Sequence, residues 1–388
     1  MENSLLFAQV ALLIVLAPVL TYLTRLPLVV VEIILGAIAV WIGFIDGGNE
    51  MFRDLAKIAF FYLMFLAGLE IDLRKFFAYR DKLLEHAGVY LFSLYALSIM
   101  LYTLFDLNGV YIVALPIVSL GMIMVLINEQ GKERPWQELL LINGVLGEIV
   151  SISAIVIYES FISYGTGIAF YQHLFTFAAV LLGLYYLFKL LYILFWWFPE
   201  LRNIIMPSDD STHQSIRVSV ALFIIFVTIM GTLEIDMVLG AFFAGIYIAN
   251  FFKHQTELPH TLHKIGFGFI VPLFFVYVGT TLDMRLIFSI DLLSQAFFIF
   301  AAMLFIRTMS AFVAYRGYLG NSKDTFLFAL GDSMPITFII AIATIAYEAQ
   351  LLPQQEYFAF IIAAMFLGVT VMSVLKGLIY LFYARKEV

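Results

Sequence analysis

Apolar runs of about twenty residues recur along this chain from end to end, each long enough to cross the hydrocarbon core of a bilayer as an α-helix. Lipid offers no hydrogen bonds to exposed backbone, so spanning segments are helices or closed barrels, and runs of this length are helical. Of the 388 residues, 63% are hydrophobic and only 13% are charged, where a soluble domain carries about a quarter charged residues. Gaps between runs are too short for a soluble domain of ordinary size, so the whole chain, 1–388, reads as one all-α membrane domain. There is no cysteine, which excludes disulfides, thiolate metal sites and thiol catalysis. The first run has neither the positive leader nor the small-residue cleavage site of a secretory signal and reads as a retained span.

The runs predict about thirteen transmembrane helices, near residues 4–23, 27–45, 54–71, 83–105, 109–128, 136–159, 171–196, 213–232, 235–252, 264–282, 290–314, 325–348 and 354–383. Most Lys and Arg then fall on one side, including Arg74, Lys75, Arg80, Lys82, Arg316, Lys323, Arg385 and Lys386. The other side holds Arg53, Lys57 and Arg285. Positive charge stays cytoplasmic, which predicts an N-terminus outside and a C-terminus inside; the expected location is the plasma (inner) membrane, as a multi-pass protein.

Three pairs of segments look alike. Glu32-Ile33-Ile34-Leu35-Gly36-Ala37 resembles Asp236-Met237-Val238-Leu239-Gly240-Ala241, and Gly68 to Arg74 resembles Gly279 to Arg285. Pro116 corresponds to Pro335. The offsets are 204, 211 and 219 residues, so order is kept while loop lengths drift. Partners lie an odd number of spans apart and cross in opposite directions. This predicts an inverted-topology repeat, common in secondary transporters: repeat one over about 1–160, a linking span over about 171–196, and repeat two over about 213–384.

Pro116 and Pro335 sit within their spans and mark helix breaks, because proline lacks an N–H and clashes with the preceding turn. Unwound backbone at membrane depth is tolerated only where protein or a water-filled cavity covers it. Two such breaks crossing antiparallel bring half-helix ends together, whose dipoles need compensating charge.

Glu148 lies in mid-span in Asn143-Gly144-Val145-Leu146-Gly147-Glu148, too deep to reach either surface. A carboxylate there costs several kcal/mol unless protonated, paired or hydrated. Desolvation favours its neutral form, so it can hold a proton or a cation, never both at full strength. Arg307 lies nine residues before Arg316, ~13 Å along a helix, and cannot shed its proton. Its partner is either Glu148 or Asp332. Asp332, one turn before Pro335, either caps the break or ligates an ion. Glu32 and Asp236 are read as packing or interfacial groups at matching repeat positions. Lys189 and Lys376 are expected to snorkel, and the Phe and Tyr residues to face lipid or pack.

Four segments carry a family resemblance: Leu26-Pro27 with Glu32 to Gly36, Phe65 to Asp72, Leu239 to Gly245, and Pro272 to Gly279. With them, the chain resembles the cation:proton antiporter-2 family of the wider sodium/proton exchanger superfamily, from about Leu26 to Ile379. The resemblance implies a homodimer in the lipid bilayer with an inverted repeat, two crossed broken helices (the sodium/proton antiporter fold) and elevator-like motion. It maps the transporting acid to Glu148, where relatives carry Asp, usually after a polar residue that is Gly147 here. The hydroxyl-rich crossover of the fifth span is reduced to Ser119, and the basic residue of span eleven is Arg307. Many relatives carry a C-terminal regulatory domain, whereas this chain stops just after its last span, so none is expected.

The expected function is exchange of Na⁺ or K⁺ for H⁺, with no cofactor. Glu148 is the cation ligand, and Ser119, Asp332 and Asn143 complete the ion- and proton-binding set. Arg307 compensates charge. A Na⁺-coupled organic-anion transporter of related fold and a channel-like K⁺ efflux pathway are the alternatives. The sequence offers no nucleophile–base pair, metal cluster or phosphate loop, so it does not read as an enzyme.

Overall fold

In the computed structural model the described residues of the expected spans are largely helical, with breaks in the fifth and the twelfth. The structure describes residues 2–71, 81–120, 123, 126–127, 134–198, 200–201, 205, 207, 213–233, 235, 237–252, 257–287 and 289–383. Asp72, Arg74, Glu234 and Asp236, which entered the charge count, the repeat and the split between two spans, lie outside those residues. In chain order the helices are α1 (Glu2–Thr24), α2 (Leu28–Trp41), α3 (Glu50–Leu69), α4 (Asp81–Phe105), α5 (Val110–Ala114), α6 (Pro135–Tyr164) and α7 (Ile168–Trp197). There follow α8 (Gln214–Thr232), α9 (Met237–Phe251), α10 (Glu257–Thr280), α11 (Ile290–Leu319), α12 (Ser322–Asp332), α13 (Ile336–Glu348) and α14 (Gln354–Tyr383). Among the described residues eight helices are long and apolar enough to cross a membrane, nine if the bent pair α12–α13 counts as one span. The α2 and α9 helices are apolar but shorter.

Local chemistry places the functional helices. Ser289 caps α11 by accepting the Leu292 N–H at 3.4 Å. The helix ends at Gly320, whose φ of 68° is left-handed and suits a residue without Cβ. Asn321 then accepts the Asp324 N–H at 2.7 Å and starts α12 at once. This tight reversal makes α11 and α12 neighbours. Arg307 lies about 18 Å before the turn and Asp332 about 15 Å after it, at the helical rise. The hairpin therefore brings two residues 25 apart in sequence to the same depth.

The chain divides into two compact units, one of residues 1–51, 79–153 and 275–388, the other of residues 52–78 and 154–274. Each draws segments from both halves of the sequence. In the first, Gly36 of α2 lies against the Val276 carbonyl, and a Cβ on Gly36 would sit 3.1 Å from Gly279 Cα. Gly279 in turn faces the Ile33 carbonyl. In the second, Gly68 of α3 lies against the Phe242 carbonyl, with Gly245 Cα 3.1 Å from where its Cβ would be, and Gly245 faces the Phe65 carbonyl. The two crossings match residue for residue. Ile33 and Gly36 correspond to Phe242 and Gly245 at an offset of 209, and Phe65 and Gly68 to Val276 and Gly279 at 211.

This corrects the first repeat pairing. Similarity of residues matched Gly36 to Gly240, whereas the crossing matches it to Gly245, and Glu32 to Ala241 rather than Asp236. The reason is that a crossing selects only for a missing Cβ. Both glycines of α9 provide one, but Gly240 faces the Phe226 carbonyl of α8 instead.

Most of α7 is exposed, with Phe177 as its one buried residue among those described. Large apolar side chains such as Tyr186, Trp196 and Trp197 point outward, as expected for a helix solvated by lipid.

The crossings yield a stability prediction. Gly279→Val drives a side chain into backbone that cannot yield, and should cost at least about 1–3 kcal/mol. Gly183→Ala on α7, where nothing lies within 4 Å, should be neutral or stabilise by up to about 1 kcal/mol. Thermal unfolding in detergent separates the two, and equal melting temperatures would refute tight packing at the crossing.

Candidate functional site

Both expected breaks are present, in the first unit. The α5 helix stops at Ala114, Leu115 and Pro116 form a turn, and Ile117 to Ser119 are unwound before helical backbone resumes at Leu120. The second break covers Ser333, Met334 and Pro335, between α12 and α13, whose axes differ by 44°. Each break exposes carbonyls at the C-terminal end of a half-helix, where the dipole is negative.

Arg307 of α11 satisfies both ends at once. It is fully buried. Nε donates to the Asp332 carbonyl at 3.1 Å, at the end of α12. Nη1 donates to the Leu115 carbonyl at 2.8 Å and to Met303 of its own helix at 3.2 Å. Nη2 donates to the Ile117 carbonyl. Only guanidinium offers such a planar fork of donors together with a permanent charge. The charge is answered by Asp332, whose Oδ2 lies 3.5 Å from Nε. Of the two partners open to Arg307, the structure gives it Asp332.

Asp332 also receives a bond that the sequence did not suggest. The buried Tyr90 of α4 donates its hydroxyl to Asp332 Oδ2 at 2.6 Å. Tyr90 is held edge-on against Phe328 at 5.2 Å and tilted against Tyr315 at 5.5 Å. Tyr315 in turn bonds Asn143 of α6, whose Nδ2 lies 2.6 Å and whose Oδ1 lies 2.9 Å from its hydroxyl oxygen. Asn143 Nδ2 also reaches the Leu139 carbonyl at 2.9 Å. These tyrosines are exceptions to the expected packing and lipid-facing roles. Nothing local distinguishes them among the 21 tyrosines of the chain.

Glu148 is buried on α6. The stripe of α6 that carries it meets the first break. Gly144 lies against Leu120 and Gly147 against Val118, where a side chain would collide. The Ser151 hydroxyl accepts the freed Val118 N–H at 3.2 Å. Residues three and four apart share a helix face, so Gly144 and Ser151 flank Glu148 along that side. Ser119, also buried, belongs to the same unwound segment. Thus Pro116, Ser119 and the Glu148 stripe meet at the first break, Asp332 and Pro335 form the second, and Arg307 joins the two. Ser151 is a further contributor that the sequence reading passed over. Among the described residues no cluster of three or more His, Asp or Glu could hold a metal ion.

The chain was compared with known proteins. A family model described as the transmembrane sodium/hydrogen exchanger matches residues 10–377. Among curated proteins, a putative Na⁺/H⁺ antiporter of Bacillus subtilis, YjbQ, is 26% identical over 415 aligned positions, covering 100% of this chain and 64% of that protein. The probable Na⁺/H⁺ antiporter 3 of Methanocaldococcus jannaschii is 25% identical over 282 positions, covering 69% of this chain and 68% of that protein. The chain spans 64% of the first relative's length. Among solved structures, the sodium proton antiporter MjNhaP1 of Methanocaldococcus jannaschii at pH 8 superimposes with a TM-score of 0.68 at 12% identity, over 98% of both chains. Its electron-microscopy structure gives 0.68 at 11% identity. These likenesses assign the fold, that of the sodium/proton antiporters.

Removing one partner of a buried ion pair strands the other charge, at a cost of about 3–5 kcal/mol. Arg307→Gln should therefore lower the melting temperature sharply, and adding Asp332→Asn should recover part of the loss. A wild-type melting curve for Arg307→Gln would show that the guanidinium does not tie the breaks together.

Proposed function

This chain belongs to the transmembrane sodium/hydrogen exchanger family, and from that premise we propose that it exchanges Na⁺ or K⁺ for one H⁺ at Glu148. One observation carries the reading: a buried carboxyl side chain rides the face of α6 that meets the unwound 117–119 segment. Carbonyls released from helical pairing, the Ser119 hydroxyl and water can complete a monovalent-cation shell around one carboxylate. Protonated, Glu148 is neutral and the cation is excluded. Ionised, it takes the cation, and the neutral complex crosses. Exchange is electroneutral, because each loaded form carries the same charge. In this reading Arg307 and Asp332 serve the scaffold of the breaks, Asn143 supports it through Tyr315, and the cation binds on the Glu148 side.

The occupancy of Arg307 favours this reading over a Na⁺-coupled organic-anion transporter. Such a transporter needs a cation free to hold a substrate carboxylate, and four of the five Arg307 N–H donors are engaged by the Leu115, Ile117, Met303 and Asp332 carbonyls. A channel-like K⁺ pathway would show unitary currents that a carrier lacks. We place the working protein in the inner membrane as a homodimer, N-terminus outside and C-terminus cytoplasmic, moving its carboxylate-bearing unit between faces.

Proteoliposomes loaded with a pH dye test the assignment. Cation-induced dequenching should be abolished in Glu148→Gln, and in the wild type it should be indifferent to an imposed membrane potential. Glu148→Asp should keep exchange with an altered Na⁺/K⁺ preference. Full exchange by Glu148→Gln would remove Glu148 as the carrier.

A further inference from the structure

We propose that Tyr90 is a positioning residue for the exchange. Its hydroxyl keeps Asp332 ionised as the counter-charge of Arg307, so that Arg307 does not compete with the cation for Glu148. The inference rests on the reading of Glu148 as carrier and adds the group that regulates its electrostatic surroundings. Tyr90 donates the only hydrogen bond to the Asp332 carboxylate among the described residues. Oδ2 takes it at 2.6 Å, while buried Oδ1 has no hydrogen-bond partner. Arg307 approaches that carboxylate at 3.5 Å through Nε, which already donates to the Asp332 carbonyl. The carboxylate is wholly shielded from solvent. A hydrogen bond to an ionised group is worth most in such surroundings, and its loss favours the neutral acid.

The tyrosine is built to hold this position. Its ring packs against both Tyr315 and Phe328, which are themselves in contact, and this restrains the ring that carries the hydroxyl. The titratable and charged groups around Asp332 are Arg307 and Tyr315 of α11 and Tyr90 of α4, with Tyr95 of α4 beside Arg307. Of these only Arg307 carries a fixed charge. If Asp332 takes a proton, that charge is left without its counter-ion in the unit that must bind a cation. Cation binding then weakens for electrostatic reasons. The effect fades as pH rises, because a lower proton concentration favours the ionised acid whatever its hydrogen bonds.

Tyr90→Phe is the test, with exchange followed from acid to alkaline pH. The pH of half-maximal exchange should rise by about one unit. The apparent KM for the cation should rise several-fold below that pH, and the maximal rate should be retained at alkaline pH. A merely structural tyrosine would instead lower the rate by the same factor at every pH, and that result, or an unchanged profile, overturns the proposal. A fluorinated tyrosine at position 90 keeps the shape and strengthens the donor, so it folds where phenylalanine fails. It should move the profile to lower pH, and no movement also overturns the proposal. Absence of exchange in the wild type would sink the functional reading instead, so the two failures are distinguishable.

Discussion

One buried guanidinium organises this site. Breaking a membrane helix strands carbonyls where no solvent reaches them, and here two helices break at the same place. Arg307 accepts both debts through one planar group, bonding Leu115 and Ile117 on one side and Asp332 on the other. A neutral amide at that position would satisfy fewer carbonyls and leave the half-helix dipoles uncompensated. A lysine would supply the charge without the fork. The cost is a permanent charge at membrane depth, which Asp332 neutralises and Tyr90 helps to keep neutralised.

The remaining packing serves this arrangement. The turn at Gly320 and Asn321 sets α11 against α12 at the depth that Arg307 and Asp332 require. The glycines of α6 let it settle on the unwound segment with Glu148 one residue beyond Gly147, and Ser151 replaces the partner that the Val118 N–H lost to the break. Elsewhere the matched glycine crossings bring α2 against the end of α10 and α3 against α9 closely enough for backbone to touch backbone. Each contact of this kind suits rigid-body movement better than local bending, because a backbone interlock yields all at once or not at all.

The sequence made the helices, both breaks and the deep charges legible, because each follows from local rules. Long apolar runs span, proline at Pro116 and Pro335 interrupts, and an ionisable side chain such as Glu148 in mid-run stands out against its apolar neighbours. What it left open depended on tertiary register. Arg307 had two partners on paper, and only the height of the α11–α12 hairpin selects Asp332. The repeat was legible, but its first register was displaced by five residues, because Gly240 and Gly245 are equally small and only one meets Gly68. Tyr90 and Tyr315 were illegible for a related reason. Their hydroxyls matter through what packs opposite them, and no spacing within α4 or α11 records that.

The pairing of Arg307 with Asp332 also bears on how exchange avoids leak. With that pair closed, the proposed cycle needs a change of charge only at Glu148. Loaded with either a proton or a monovalent cation, the carboxyl is neutralised and moving it across the bilayer carries no extra charge. Empty and ionised, it adds a negative charge that neither loaded form carries, and exposing that charge to hydrocarbon costs several kcal/mol. Each 1.4 kcal/mol is tenfold in population, so the empty form crosses orders of magnitude less often than the loaded ones. Were Arg307 paired with Glu148 instead, the empty form would be the neutral one, and it would slip across without cargo. In the proposed cycle, assigning the arginine to Asp332 therefore does more than hold two helix ends together: it would reserve the anionic state of Glu148 as the one that does not cross, which is the condition for coupling one ion to the other.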